Sequence, residues 1–192
     1  MLIIMVGTIG SGKGTFCRHL AEYGFRSYGV GKEVEEFIKE DLEKRGPVCR
    51  DRQQYWGDEA RKVFAGDFWD GRIIQKVVRN DSIHCCYDSA KYTDEIERLV
   101  EFAKGFGDRK SYVLAINAFP WLRFKRLKER GREGDPQTQG EFDIANNRDL
   151  RGYKNGTGQN TSACLDMAQK IIFNHGTPED LKTEAERFFR EL

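Results

Sequence analysis

The chain has 192 residues, 39% of them apolar and 33% charged, with 32 lysines and arginines against 31 acidic residues. That supports one globular domain with a full core, needs no second domain, and excludes a bulk electrostatic attraction to nucleic acid or a membrane surface. Five cysteines without a C-x-x-C pair and three histidines argue against zinc, no apolar stretch reaches membrane-spanning length, and reduced thiols in a cytoplasmic setting are expected.

Residues 2–6 are a continuous apolar run without alternation, the pattern of a strand buried on both faces of a parallel sheet. This start is too short for a signal peptide. Gly7-Thr8-Ile9-Gly10-Ser11-Gly12-Lys13 follows, with the G-x-x-x-x-G-K spacing of a phosphate-binding loop between strand and helix. The glycines let backbone N–H groups turn in on phosphate oxygens. Lys13 adds a point charge, and a helix opening at Gly14 and Thr15 adds its N-terminal dipole. The general pattern places Ser or Thr directly after the lysine, whereas here Gly14 intervenes and Thr15 comes one residue later.

Further along, residues 24–28 suit a short strand, and 33–45 a helix carrying Val34, Phe37, Ile38 and Leu42 at helical spacing until Gly46-Pro47 stops it. Residues 51–65 and 68–79 read as two more helices, bearing Trp56, Ala60 and Val63, then Trp69, Ile73 and Val77. Residues 82–87 are expected to form a buried strand ending at Asp88, with His84 a core histidine and Cys85 and Cys86 on opposite faces. Thr93 opens a helix, 112–116 is a strand, and Pro120 starts a helix whose continuation through Arg132 holds six cations in ten positions. Residues 134–162 turn polar. There Thr138-x-x-Glu141 is a capping box for a helix through Arg151, and 152–160 is expected to be mobile. Residues 170–173 are a last strand, and Thr177 to Asp180 caps a terminal helix. Strands alternating with helices predict a mainly parallel five-stranded sheet with helices on both faces.

The G-x-x-G-x-G-K-G-T form of the first loop resembles that of adenylate kinase and related nucleoside monophosphate kinases. The segment Asp88-Ser89-Ala90-Lys91 to Glu95 is similar to D-x-R-x-x-x-E in deoxynucleoside monophosphate kinases and dephospho-CoA-kinase-like proteins, with Lys91, one position further on, in place of the arginine. Arg52 to Arg61 resembles the R-x-x-Q-x-x-G-x-x-x-R helix of deoxynucleotide kinases. Three later stretches resemble archaeal adenylate-kinase-like and dephospho-CoA-kinase-like proteins: 119–132, 146–151, and 168–181 with Asn174-His175-Gly176-Thr177. The resemblance implies a P-loop α/β/α sandwich, a single kinase domain with its core at 1–28, 80–122 and 163–192. A helical acceptor-binding region would span about 29–79 and a lid about 123–162. Glu35 stands where adenylate-type kinases place an arginine, which leaves acceptor phosphate to Arg52, Lys91 or Arg61.

On this reading the activity is ATP-dependent phosphoryl transfer to a small nucleotide, with a (deoxy)nucleoside monophosphate as acceptor. Dephospho-CoA kinase, or a nucleotide-binding switch or assembly ATPase, are the alternatives. Gly7, Thr8, Ile9, Gly10, Ser11, Gly12, Lys13, Gly14 and Thr15, with Asn174, would hold ATP. Lys13, Arg126, Arg130 and Arg132 would stabilise the moving phosphoryl group, because that chemistry needs positioning and cations more than a covalent participant. Arg52, Asp88, Lys91, Arg148 and Arg151 would face the acceptor. Thr15 and Asp88, the latter through water, would hold Mg²⁺. The expected partner is a small-molecule acceptor rather than nucleic acid or membrane, with the protein a monomer or homodimer. Trp56, Trp69, Tyr55 and Phe68 read as core more readily than as base-stacking residues.

Overall fold

A computed structural model describes residues 1–42, 50–64, 66–80, 83–107, 109–152 and 158–192, without the side chains of 39–42 and 50–54. The elements run β1 (Leu2–Val6), α1 (Lys13–Ala21), β2 (Arg26–Gly29), α2 (Val30–Leu42), α3 (Arg50–Val63), α4 (Phe68–Arg79) and β3 (Cys85–Ala90). Then come α5 (Thr93–Gly105), β4 (Ser111–Asn117), α6 (Pro120–Arg130), α7 (Gln139–Arg151), α8 (Thr161–Asp166), β5 (Lys170–Phe173) and α9 (Pro178–Glu191).

Among the described residues the four pairings are all parallel, in the order β2-β3-β1-β4-β5. All five residues of the central strand β1 are buried, because each face meets a helical layer. Leu2, Ile4 and Val6 pack with Ile73 and Val77 of α4, Ile96, Leu99 and Ala103 of α5, and Cys164 of α8. Ile3 and Met5 pack with Phe16, Cys17 and Leu20 of α1 and Leu181, Ala185 and Phe188 of α9. The result is a three-layer α/β/α sandwich. A separate cluster of Val34, Ile38, Ala60 and fully buried Trp69 holds α2, α3 and α4 together, with Trp56 and Phe68 partly buried against it. Three of the four aromatics weighed for base stacking thus sit in or against this small core, while Tyr55 is exposed.

Both capping boxes are present, Thr138 with Glu141 and Thr177 with Asp180. The expected end of α2 at 43–45, and residues 153–157 of the segment expected to be mobile, lie outside the described residues.

Two expectations are corrected. The third strand starts at Cys85, not 82, and Ile83 and His84 are exposed, so His84 is not a core histidine. The strand instead runs on through Asp88 to Ala90, because β2 pairs Gly29 with Asp88 and β1 pairs Val6 with Ala90. Helix α8, capped by Asn160 accepting from the Ala163 N–H, starts inside the polar stretch 134–162, just after the segment expected to be mobile, and was not anticipated. Cys85 and Cys86 do face opposite layers.

Candidate functional site

The loop between β1 and α1 lies at the C-terminal edge of the central strand, where the open face of an α/β sheet gathers ligand-binding groups. Two of its glycines are dictated by close approach. At Gly7 (φ +151°) a Cβ would stand 2.3 Å from the Ile116 carbonyl oxygen, and at Gly12 (φ +105°) 2.3 Å from Asn174 Nδ2. Any side chain at either position would break the curl of the loop.

Lys13, the first residue of α1, is buried, and its ammonium donates to the carbonyls of Gly7 (2.6 Å) and Thr8 (3.0 Å). Burial, helped by the nearby Lys91 charge, pushes its pKa down to about 7 from an ordinary 10.5. The Thr8 and Ser11 hydroxyls are buried with no hydrogen-bond partner among the described residues, and such groups are costly unless something bonds them.

A second lysine braces the loop. Lys91 Nζ donates to the Gly7 carbonyl (3.1 Å), to Asp149 Oδ1 and to Thr161 Oγ1 (3.3 Å). Asp149 Oδ2 accepts the Ile9 N–H at 2.8 Å. Burial works to raise the Asp149 pKa, but Lys91, Lys13 and the Ile9 amide hold it below the ordinary carboxylate value. A carboxylate of α7 is therefore built into the rim of the loop. On that side Ile9, Leu127 and Phe142 form an apolar cluster, and Arg123 runs beneath it. Arg123 is 3% exposed and donates to the Ile9 carbonyl (3.2 Å), the Ala118 carbonyl (3.0 Å) and Asn146 Oδ1 (2.8 Å).

Asp88, near the end of β3, brings its carboxylate to the opposite side of the loop. A Cβ placed at Gly14 would lie 3.8 Å from Asp88 Oδ2. The β1–β3 register shifts here, and the next residue, Ser89, holds φ +82°. An irregularity of this kind re-aims a side chain at a strand end. Thr15 Oγ1 accepts from Arg18 Nη2 at 2.9 Å.

These groups open on one cleft of about 1300 Å³. Residues 9–15, Asp88, Lys91, Arg126, Arg130, Arg132 and Asn174 all line it. Arg126 donates to the carbonyls of Asn174 (3.0 Å) and Gly176 (2.9 Å), and Asn174 Nδ2 donates to the Ser11 carbonyl (2.8 Å). Arg130 grips Asp135 through Nε and Nη2 at 2.8 and 2.5 Å. Arg148 and Arg151 do not line the cleft, and the Arg52 side chain lies outside the described residues.

The other end of the cleft is walled by α2, α3 and α5. Arg61 donates to Glu95 Oε1 (3.0 Å) and the Gly66 carbonyl (2.7 Å), and lies 4.4 Å over the Tyr92 ring. Tyr92 donates to Asp58 at 3.1 Å, and Tyr87 donates to Glu95. Desolvation opposes the Arg61 charge, yet Glu95 and the neighbouring acids raise its pKa overall. Asp149 was missed from the sequence, and Glu95 was noted only as part of a resembling segment, without a role. The available signal for Asp149 was its place seven residues after buried Phe142, on the same face of a helix.

No protein-family model matches the chain. A UPF0200 protein of Thermococcus gammatolerans is 30% identical over 202 residues, covering 100% of this chain and 97% of its own length. Another, from Methanopyrus kandleri, is 31% identical over 155 residues, covering 78% of this chain and 72% of its own. Among solved structures, shikimate kinase from Acinetobacter baumannii in complex with shikimate matches with a TM-score of 0.58 at 18% identity, over 99% of this chain and 93% of that one. Dephospho-CoA kinase from Campylobacter jejuni matches with 0.54 at 14% identity, over 99% and 96%. The chain belongs to the UPF0200 family, and its fold is that of the P-loop kinases.

Proposed function

We propose that this protein transfers the terminal phosphoryl group of ATP to a small nucleotide, most naturally a (deoxy)nucleoside monophosphate, giving the diphosphate. One observation carries the reading: a buried lysine at the head of α1, inside a glycine curl with two unpartnered buried hydroxyls, faces a strand-end carboxylate across one cleft. Loop amides and Lys13 would hold the donor's outer phosphates. Arg126, Arg130 and Arg132, on the side of α6, would meet the charge on the moving group as the acceptor oxygen attacks in line and ADP departs. The helical wall of Arg61, Tyr92 and Asp58 would face the acceptor.

Mg²⁺ fits the donors present. The Asp88 carboxylate and the half-exposed Thr15 hydroxyl offer oxygen, and among the described residues no three His, Cys, Asp or Glu gather into a closed metal cage. Such a site suits an ion held largely by phosphates, whose chemistry would be to neutralise their charge.

Dephospho-CoA is the second acceptor to test, since the fold is shared with a kinase of that name. The experiment measures ADP release from ATP across a panel of ribo- and deoxynucleoside monophosphates, dephospho-CoA and shikimate, with Lys13→Ala as the control. Stimulation by one nucleotide, lost in Lys13→Ala, supports the reading. Hydrolysis untouched by every acceptor overturns it.

A further inference from the structure

We propose that Cys17 and Cys86 are a redox-convertible pair, a dithiol beneath the cleft that closes to a disulfide. The pairing stands on the position of two sulfurs and is independent of what the cleft binds.

The two Sγ atoms lie 3.1 Å apart, joined by a thiol hydrogen bond, although the residues are 69 positions apart in sequence. A disulfide bond is about 2.0 Å long, so closure moves the sulfurs together by roughly 1 Å within packed side chains. Cys17 sits on α1 and Cys86 on β3, both facing the layer between the sheet and α9. Cys85 and Cys164 belong to the opposite layer, so among the described cysteines this approach pairs Cys17 with Cys86.

Access differs between the two. Both thiols are buried, but Cys17, 3% exposed, lines the cleft, while Cys86, 0% exposed, does not. Cys17, on the cleft side, therefore meets the oxidant, and Cys86 behind it resolves the product. With hydrogen peroxide as oxidant, Cys17 gives up its proton as its sulfur attacks one oxygen, an S–O bond forms, the O–O bond breaks and hydroxide leaves. Cys86 then loses its proton, and its sulfur attacks Cys17 Sγ, forming the S–S bond and expelling the second hydroxide. Two thiols are oxidised and one peroxide is reduced to two waters.

The consequence follows from placement. Cys17 is four residues after Lys13 on one face of α1, and Cys86 is two residues before Asp88 on β3. A covalent bridge there fixes the head of α1 against the strand that carries Asp88, and so fixes the spacing of the cation and carboxylate on either side of the loop.

The test treats the folded full chain with hydrogen peroxide, blocks remaining thiols after denaturation, and maps them by mass spectrometry, with thermal melting in parallel. The expected result is loss of two thiols, a peptide linking Cys17 to Cys86, reversal by dithiothreitol, and a melting temperature raised by several degrees because the unfolded chain is constrained. Cys17→Ser should leave Cys86 reduced, and Cys85→Ser should leave the cross-link intact. Cys17 recovered as a sulfenic or sulfinic acid beside a free Cys86 thiol, a cross-link to any other cysteine, or thiols unreacted in wild type overturns the proposal. The wild-type mapping decides it even where a variant does not fold.

Discussion

Lys13 has lost most of its preference for the charged form before any ligand arrives. Burial is the largest cause, and Lys91 adds to it, giving a pKa of about 7. A triphosphate placed against the ammonium restores that preference, so the bound pKa lies above the free one. The sign follows from linkage: nucleotide affinity is full below about pH 7, where Lys13 is already charged, and falls as pH rises toward the bound pKa. At about pH 8, ATP binding should take up close to one proton in wild type. Calorimetry in two buffers of different ionisation enthalpy reads this directly, and uptake should vanish in Lys13→Ala. Arg132 offers a second residue-scale prediction, because its side chain is exposed at the cleft while its neighbour Arg130 is clamped by Asp135. Arg132→Ala should lower kcat by on the order of 10³, the low end for an arginine at a transferring phosphoryl group, with the ATP dissociation constant nearly unchanged. An effect confined to affinity would place Arg132 away from the reacting phosphorus.

At the scale of elements, the lesson is that α7 is welded to the phosphate loop through Asp149. Its carboxylate is 3% exposed and meets Lys91, 15% exposed, and the Ile9 amide. Removing one partner of such a pair leaves an unpaired charge, which costs about 3–5 kcal/mol, whereas removing both is far milder. Asp149→Asn should therefore lower stability by roughly that amount in urea unfolding, and adding Lys91→Met should recover most of it. Equal additive losses would mean the two residues act separately. This weld also marks where sequence reading stopped. Arg148 and Arg151 stood out as cations three apart, yet the face of α7 turned to the loop is that of Phe142 and Asp149. No local pattern announces a contact spanning 140 residues, such as Asp149 to Ile9. Helix α8 escaped for a different reason, since six residues make too little periodicity to register. The third strand was placed too early because Ile83 and His84 extend an apolar run that pairs only from Cys85.

For the whole molecule, the legible part was the part written in local patterns. The unalternating run of β1, the glycine spacing after it, and the helical periodicities of α5 and α9 dictate a parallel sheet with covered faces. That architecture puts the loop after β1, the Asp88 end of β3 and the start of α6 along one edge, and the cleft follows. The wall opposite the loop was less legible, because its character comes from Arg61, Glu95, Tyr87 and Tyr92 meeting across α3, β3 and α5.

The central claim is that the amides of the loop enclose a triphosphate. Titration of the ¹⁵N-labelled chain with ATP and Mg²⁺, followed by amide chemical shifts, tests it most directly. The account predicts the largest changes at the N–H groups of residues 10–15, absent when adenosine replaces ATP. Saturable shifts centred elsewhere, with the 10–15 amides unmoved, would contradict it.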